Sequence, residues 1–255
     1  MIDIHSHLLP DMDDGAKNMD ETMLMCQLAV QDGIHDIIAT PHALDGHFEP
    51  EANELHGHVE TINRSLVELG LDLTIHPGAE VRLVPDMHDV IRQKPWLLLA
   101  RSQYLLVEPP PTPSAILGEE ISQLLHFGYR PILAHPERCV WIHNKPDILL
   151  PLVASGMLVQ ITAQSLLGHF GQPPRICAET LIRCRMAHFM ASDAHSLRRR
   201  PPLLSQATQR LQELAGEEET LAMTQSRATS ILGNVPISIA EPLPSKQSLW
   251  KRIFS

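Results

Sequence analysis

The stretch 2–15, IDIHSHLLPDMDDG, brings together His5, His7 and Asp14. Ile2, Asp3 and Ile4 read as a short strand, in which side chains two apart share a side, so both imidazoles face one spot. Two neutral imidazoles aimed at one point suit a divalent ion. Asp14 follows in a polar turn closed by Gly15 and can add the hard oxygen donor that manganese, iron or magnesium prefer. A lone His-x-His also occurs on surface loops that bind nothing, so the pair gains meaning only from what the rest of the chain brings to it.

The elements that must position such donors are legible as a regular alternation. A helix over 20–33, with Asp20 as its cap and Gly33 as its stop, follows the first strand. A strand over 36–40 runs into Pro41-His42, and a helix over 51–69 ends at Gly70. A third strand over 73–75 leads to Glu80, and a fourth over 104–107 leads to Glu108, where Pro109, Pro110 and Pro111 stop it. A helix over 114–127 precedes a strand over 131–134 that delivers His135 and Arg138. Then come a helix over 146–154, a strand over 158–161, a helix over 174–185 and a strand over 188–191 that runs into Asp193 and His195. Helices over 203–214 and 218–231 complete the pattern, with a tail over 236–255.

Strand and helix thus alternate about seven times, which implies parallel strands, right-handed crossovers and a closed or nearly closed barrel. The candidates His5, His7, Asp14, His42, Glu80, Glu108, His135, Asp193 and His195 all fall at C-terminal strand ends, the face where such barrels build their sites. Singly, a histidine there is more often a hydrogen-bonded, partly buried residue, and an acid more often caps the next helix. Repetition across strand ends outweighs those readings. Of the fifteen histidines, His47, His56, His58, His88, His126, His143 and His169 fall on helices or polar loops and receive no role; His76 and His188 are also left out. The donors exceed the four of a closed zinc site and suit two or three ions with bridging carboxylates.

Composition agrees. At 255 residues and 44% hydrophobic content the chain can bury one sizeable core, so one domain is expected. A formal charge of -10 argues against binding nucleic acid through phosphate contacts. No run of 18 apolar residues and no signal-peptide pattern occurs, so neither membrane insertion nor export is expected and the compartment is the cytoplasm. Cys26, Cys139, Cys177 and Cys184 form no C-x-x-C pair and read as buried thiols.

The motifs, taken in order, resemble the polymerase and histidinol phosphatase (PHP) superfamily, and within it the capsule-type metal-dependent bacterial protein-tyrosine phosphatases. They are D-I-H-S-H-L-L-P-x-x-D-D-G-A over 3–16, T-P-H ending at His42, G-A-E ending at Glu80, L-L-V-E ending at Glu108 and A-H-P-E-R ending at Arg138. Q-I-T-A-Q-S-L-L-G-H-F-G from Gln160 and S-D-A-H-S-L-R-R-R-P-P from Ser192 complete them. The resemblance implies a distorted (β/α)7 barrel of the PHP fold as a single domain over 1–240, followed by a short amphipathic tail over 241–255. It implies a trinuclear centre, with manganese as the first choice and iron, cobalt, magnesium or zinc as alternatives. His5, His7, Glu80 and Asp193 would hold one ion, Glu80 would bridge to a second held by Glu108 and His135, and Asp14, His42 and His195 would hold the third. Arg138 and Arg200 match the arginines that hold the substrate phosphate. The implied partner is the phosphotyrosyl tail of a bacterial tyrosine kinase of capsule or exopolysaccharide export.

That resemblance carries a mechanism in which metal-bound hydroxide attacks phosphorus in line and the arginines neutralise the phosphoryl oxygens. The alternative is a small-molecule phosphoesterase such as a histidinol-phosphate or nucleotide phosphatase; an idle PHP module would be missing ligands. Asp11-Met12, Pro109 to Pro111 and Ser196 depart from the family pattern at the mouth. Cys177 to Arg183 satisfies the C-x5-R spacing of thiolate phosphatases, but lacks glycine and reads as an amphipathic helix. In the tail, Leu249, Trp250, Ile253 and Phe254 lie among Lys246, Lys251 and Arg252, a pattern suited to packing on the barrel, a neighbouring subunit or anionic lipid. The oligomeric state stays open.

Overall fold

In the computed structural model, which describes residues 1–245, nine parallel strand segments form two sheets. One has the order β1-β2-β4, from Ile2–Ser6, Asp36–Ala39 and Thr74–Pro77. The other has the order β3-β5-β6-β7-β8-β9, from His42–Ala43, Glu80–Arg82, Tyr104–Glu108, Arg130–Ala134, Leu158–Thr162 and Phe189–Ala191. β2 with β3, and β4 with β5, are halves of interrupted strands, so the ring has seven strand positions. Hydrogen bonds continue across the breaks: Thr40 donates to the Ser6 carbonyl at 2.9 Å and Glu80 to that of Pro41 at 3.1 Å. The ring closes where Ser6 bridges Ala194 and Asp193 N–H donates to the His5 carbonyl at 2.9 Å. This is the expected distorted (β/α)7 barrel.

Alternation along the strands divides their apolar side chains between two layers, as a ring buried on both faces requires. Leu106, Ile132, Leu158 and Phe189 pack with Ala228 and Ile231 of the helix Arg227–Leu232. Leu105, Leu133, Val159 and Met190 pack instead into the larger cluster that contains Cys26, Leu55 and Ile62 of the outer helices.

Most element boundaries follow the sequence expectation within two residues, and the exceptions have local causes. The helix Met19–Gln31 is capped by Asn18, whose side chain accepts from Glu21 N–H; Asp20 lies inside the first turn, where its charge faces the positive end of the helix dipole. The stretch 146–154 splits into a 3-10 turn, Pro146–Leu149, and the short helix Leu150–Ala154, because Pro151 lacks the N–H that one helix would need. The final helix contains a π turn at Ala222–Ser226. Past 245 the tail lies outside the described residues, and among those described no helix is long and apolar enough to cross a membrane.

Gly78 occupies the break between β4 and β5 because a side chain would not fit. A Cβ there would stand 2.9 Å from Ile38 Cγ2 and from Leu99 Cδ2. Gly78→Ala is expected to lower unfolding free energy by about 1–3 kcal/mol through overpacking, measured by urea denaturation; an unchanged midpoint would show that the break tolerates volume.

Candidate metal centre

Strand register places the donors. β3 pairs with β5 so that His42 stands opposite Glu80, and β5 pairs with β6 so that Arg82 stands opposite Glu108. His135 and Asp193 each adopt a left-handed backbone, φ 32° and φ 53°, where β7 and β9 give way to loops. Such conformations are unfavourable for non-glycine residues and cluster where function over-determines the backbone. Gly15 is needed for a related reason: a Cβ there would lie 1.9 Å from the His7 carbonyl, so only glycine lets the acidic turn fold against β1.

The donors converge. His5 Nε2 lies 3.1 Å from His7 Nε2, 3.2 Å from Glu80 Oε2 and 3.5 Å from Asp193 Oδ1. His7 Nε2 is 3.4 Å from Glu80 Oε2, His42 Nδ1 is 3.2 Å from the same oxygen, and His135 Nε2 is 2.9 Å from Oε1. His195 Nε2 stands 3.2 Å from Asp14 Oδ1, and His42 Nε2 3.7 Å from it. Three groups have metal-ligating geometry: His5, His7 and Asp193; His5, Glu80 and His135; and His7, Asp14, His42 and His195. His7 thus reaches the third group as well as the first. Glu108 stands outside these groups, where Arg82 Nη2 donates to it at 3.2 Å. His76 pairs with Asp36 at 2.7 Å, away from the donors.

Which atoms face inward is fixed by groups that the sequence reading left without roles. Gln160 Oε1 accepts the His135 backbone N–H at 3.3 Å, so that oxygen is an acceptor and the His5 Nδ1 beside it, at 3.0 Å, carries a proton. Asp13 Oδ2 accepts from the His42 backbone at 3.0 Å and from His7 Nδ1 at 2.6 Å. His195 Nδ1 donates to the Asp193 carbonyl at 2.9 Å. All three imidazoles therefore turn an Nε2 lone pair toward the carboxylates. Asp3 braces the floor by accepting from Ser192 N–H at 2.9 Å and from the Ser192 hydroxyl. Its burial pushes the carboxyl up to about 6. The sequence signal for Asp13 is an acid beside a candidate ligand acid, since ligating histidines anchor their second nitrogen to a carboxylate or carbonyl.

Lone pairs and carboxylate oxygens that meet at 3.1–3.6 Å with nothing positive between them repel one another. Donors bound about 2.0–2.2 Å from a common ion stand about 3.0–3.5 Å apart, so the spacing fits divalent ions. Glu80 Oε2 and His195 Nε2 are buried and have no hydrogen-bond partner among the described residues. The titration behaviour tells the same story. Burial alone would lower the His7 imidazole, but Asp13 and then Glu80 outweigh it and raise it to about 10. Burial would raise Glu80, yet His5 and His135 hold it well below the carboxylate range. Without divalent ions His7 and His135 draw protons.

Arg138 and Arg200 both donate to Asp193, the latter at 3.2 Å to Oδ2, and the Phe170 ring lies 4.8 Å from the Arg138 guanidinium carbon. Cys177 is buried on the helix Gln172–Arg183, and burial pushes its thiol far up, which removes the thiolate that a C-x5-R nucleophile needs.

Gln160→Leu and Asp13→Asn are each expected to weaken metal binding about 10–100-fold, read by competition with a chromogenic chelator. Metal affinity equal to that of the unsubstituted protein in both would show that these residues do not set the imidazole orientation.

Known proteins resemble this chain over nearly its whole length. The chain is 34% identical to the tyrosine-protein phosphatase YwqE of Bacillus subtilis over 248 residues, 97% of each chain. It is 35% identical to CapC of Staphylococcus aureus over 254 residues, 98% of each. A crystal structure from work on YwqE and on CpsB of Streptococcus pneumoniae, described as unique metal-dependent tyrosine phosphatases, superposes with a TM-score of 0.90 at 34% identity, covering 96% of this chain and 100% of that one. The family model for capsular polysaccharide synthesis, CpsB/CapC, matches residues 1–233, and with these relatives it shows that the chain belongs to the CpsB/CapC family.

Proposed function

We propose that this chain hydrolyses phosphotyrosine on a bacterial tyrosine kinase of capsule or exopolysaccharide biosynthesis, in the cytoplasm, with divalent ions and manganese as first choice. The observation that carries the reading is the two-sided position of Glu80. Its Oε1 faces His135 at 2.9 Å while its Oε2 faces His5 and His42, each at 3.2 Å, which is the placement of a bridging carboxylate. His5, His7 and Asp193 would hold one ion, Glu80 and His135 a second, and Asp14, His42 and His195 a third. Glu108 would join the second set by parting from Arg82.

When bound, divalent ions lower the pKa of water toward about 7 and polarise phosphoryl oxygens. The chain's own residues supply position. Arg138 and Arg200, with side chains 30% and 22% exposed, reach Asp193 from the solvent side and offer planar forks that match two phosphate oxygens. Asp14 is 51% exposed, so the mouth is open to a phosphate carried on a chain. A tyrosine phenolate, with pKa near 10, leaves with little acid assistance.

Arg138→Ala and Arg200→Ala are each expected to lose about 10²–10³ in turnover of an aryl phosphate while retaining metal; wild-type-like rates in both contradict their role. Chelation should abolish turnover, whereas Cys177→Ser should preserve it. A phosphotyrosyl peptide should exceed histidinol phosphate in kcat/KM by about 10²-fold or more; the reverse order would assign the centre to a small metabolite.

A further inference from the structure

β9 separates two charged regions. Asp193 follows it, and His188 precedes it, so His188 lies about 16 Å from the metal-ligand end at about 3.3 Å per residue. There Arg183, Arg185 and Arg227 line a cavity of about 250 Å³ with His188 and Glu219. The chain as a whole carries a formal charge of -10, yet this cavity sets three guanidinium groups against one carboxylate. Glu219 is already engaged by Arg227, at 2.7 and 3.0 Å. Arg183 and Arg185 are exposed and have no ion pair among the described residues.

The histidine adds a second, independent observation. Val159 N–H donates to His188 Nδ1 at 3.0 Å. A backbone N–H can only donate, so Nδ1 holds a lone pair and the imidazole proton sits on Nε2. That Nε2 is buried and has no acceptor among the described residues, in a residue that is 2% exposed. Burial first, and then the Arg227 charge, hold the imidazole neutral, pushed down to about 3. Buried donors are almost always satisfied, and this one finds no acceptor among the described residues.

We propose that this cavity binds a small oxyanion of the phosphate class, held by Arg183, Arg185 and Arg227 with His188 in its wall. Guanidinium forks suit phosphate oxygens, and the volume admits inorganic phosphate or the headgroup of a phosphate ester. The site does not depend on the reaction assigned to the metal centre. The competing role for these arginines is to complement the C-terminal dipole of the helix Gln172–Arg183, which needs no ligand.

The test is equilibrium dialysis of the metal-loaded protein with radiolabelled inorganic phosphate, together with the ¹⁵N shift of His188 Nε2. The unsubstituted protein should bind one more phosphate per chain than the double variant R183Q/R185Q. That variant should keep its turnover and its competitive inhibition by phosphate, and R138A/R200A should retain the distal phosphate. The His188 resonance should move with phosphate in the unsubstituted protein and in Arg185→Lys, which keeps the charge, but not in R183Q/R185Q. Displacement of the label by phenylphosphonate would assign the cavity to esters, and resistance to it would assign the cavity to the free anion; the proposal stands on either. Equal stoichiometry in the unsubstituted protein and R183Q/R185Q, or an unmoved His188 resonance at saturating phosphate, would overturn it.

Discussion

Electrostatic crowding at one mouth of the barrel is the constraint on which the rest depends. Imidazole lone pairs and carboxylate oxygens are held 3.1–3.6 Å apart in a buried volume, and such an array is stable only with positive charge inside it. The backbone maintains it through hydrogen bonds that do not themselves reach the centre. Gln160 and Asp13 each join an imidazole to the backbone N–H of another candidate donor, so orientation and loop position are set together. A ring assembled in this way cannot relax by rotating one histidine.

The fold serves that array by interruption rather than regularity. β2 and β4 break at Pro41 and Gly78, and the short strands that resume carry His42 and Glu80 face to face. The seam between β1 and the segment after β9 is stitched by Ser6, Ala194 and the His5 carbonyl, which brings the first candidate donors beside the last. Asp3 sits beneath this seam and ties Ser192 to β1. Donors distant in sequence therefore meet because closure of the barrel leaves them no other place.

Much of this was legible in the sequence, for identifiable reasons. Period-two alternation and the strand-end position of His5, His7, His42, His135 and His195 exposed the centre, because a parallel barrel gathers its strand ends at one face. The separate short strands at His42 and Glu80 were not visible, since two or three residues give no periodicity. The sequence points to Asp20 and the structure to Asn18, because both residue types cap helices and only the chain geometry chooses. Gln160 lies within a motif that shows no task for it; an amide that selects a tautomer leaves no mark until its neighbours are in place. The ion pair of Arg82 with Glu108 depends on register, which the sequence does not state.

The most direct measurement of the central claim is anomalous diffraction at the manganese edge from protein grown with that metal, combined with a metal count on the same crystals. The account predicts two or three peaks, with one within about 2.2 Å of His5 Nε2 and another within the same distance of His195 Nε2. Peaks confined to surface carboxylates, with full aryl-phosphate turnover in metal-stripped protein, would contradict it.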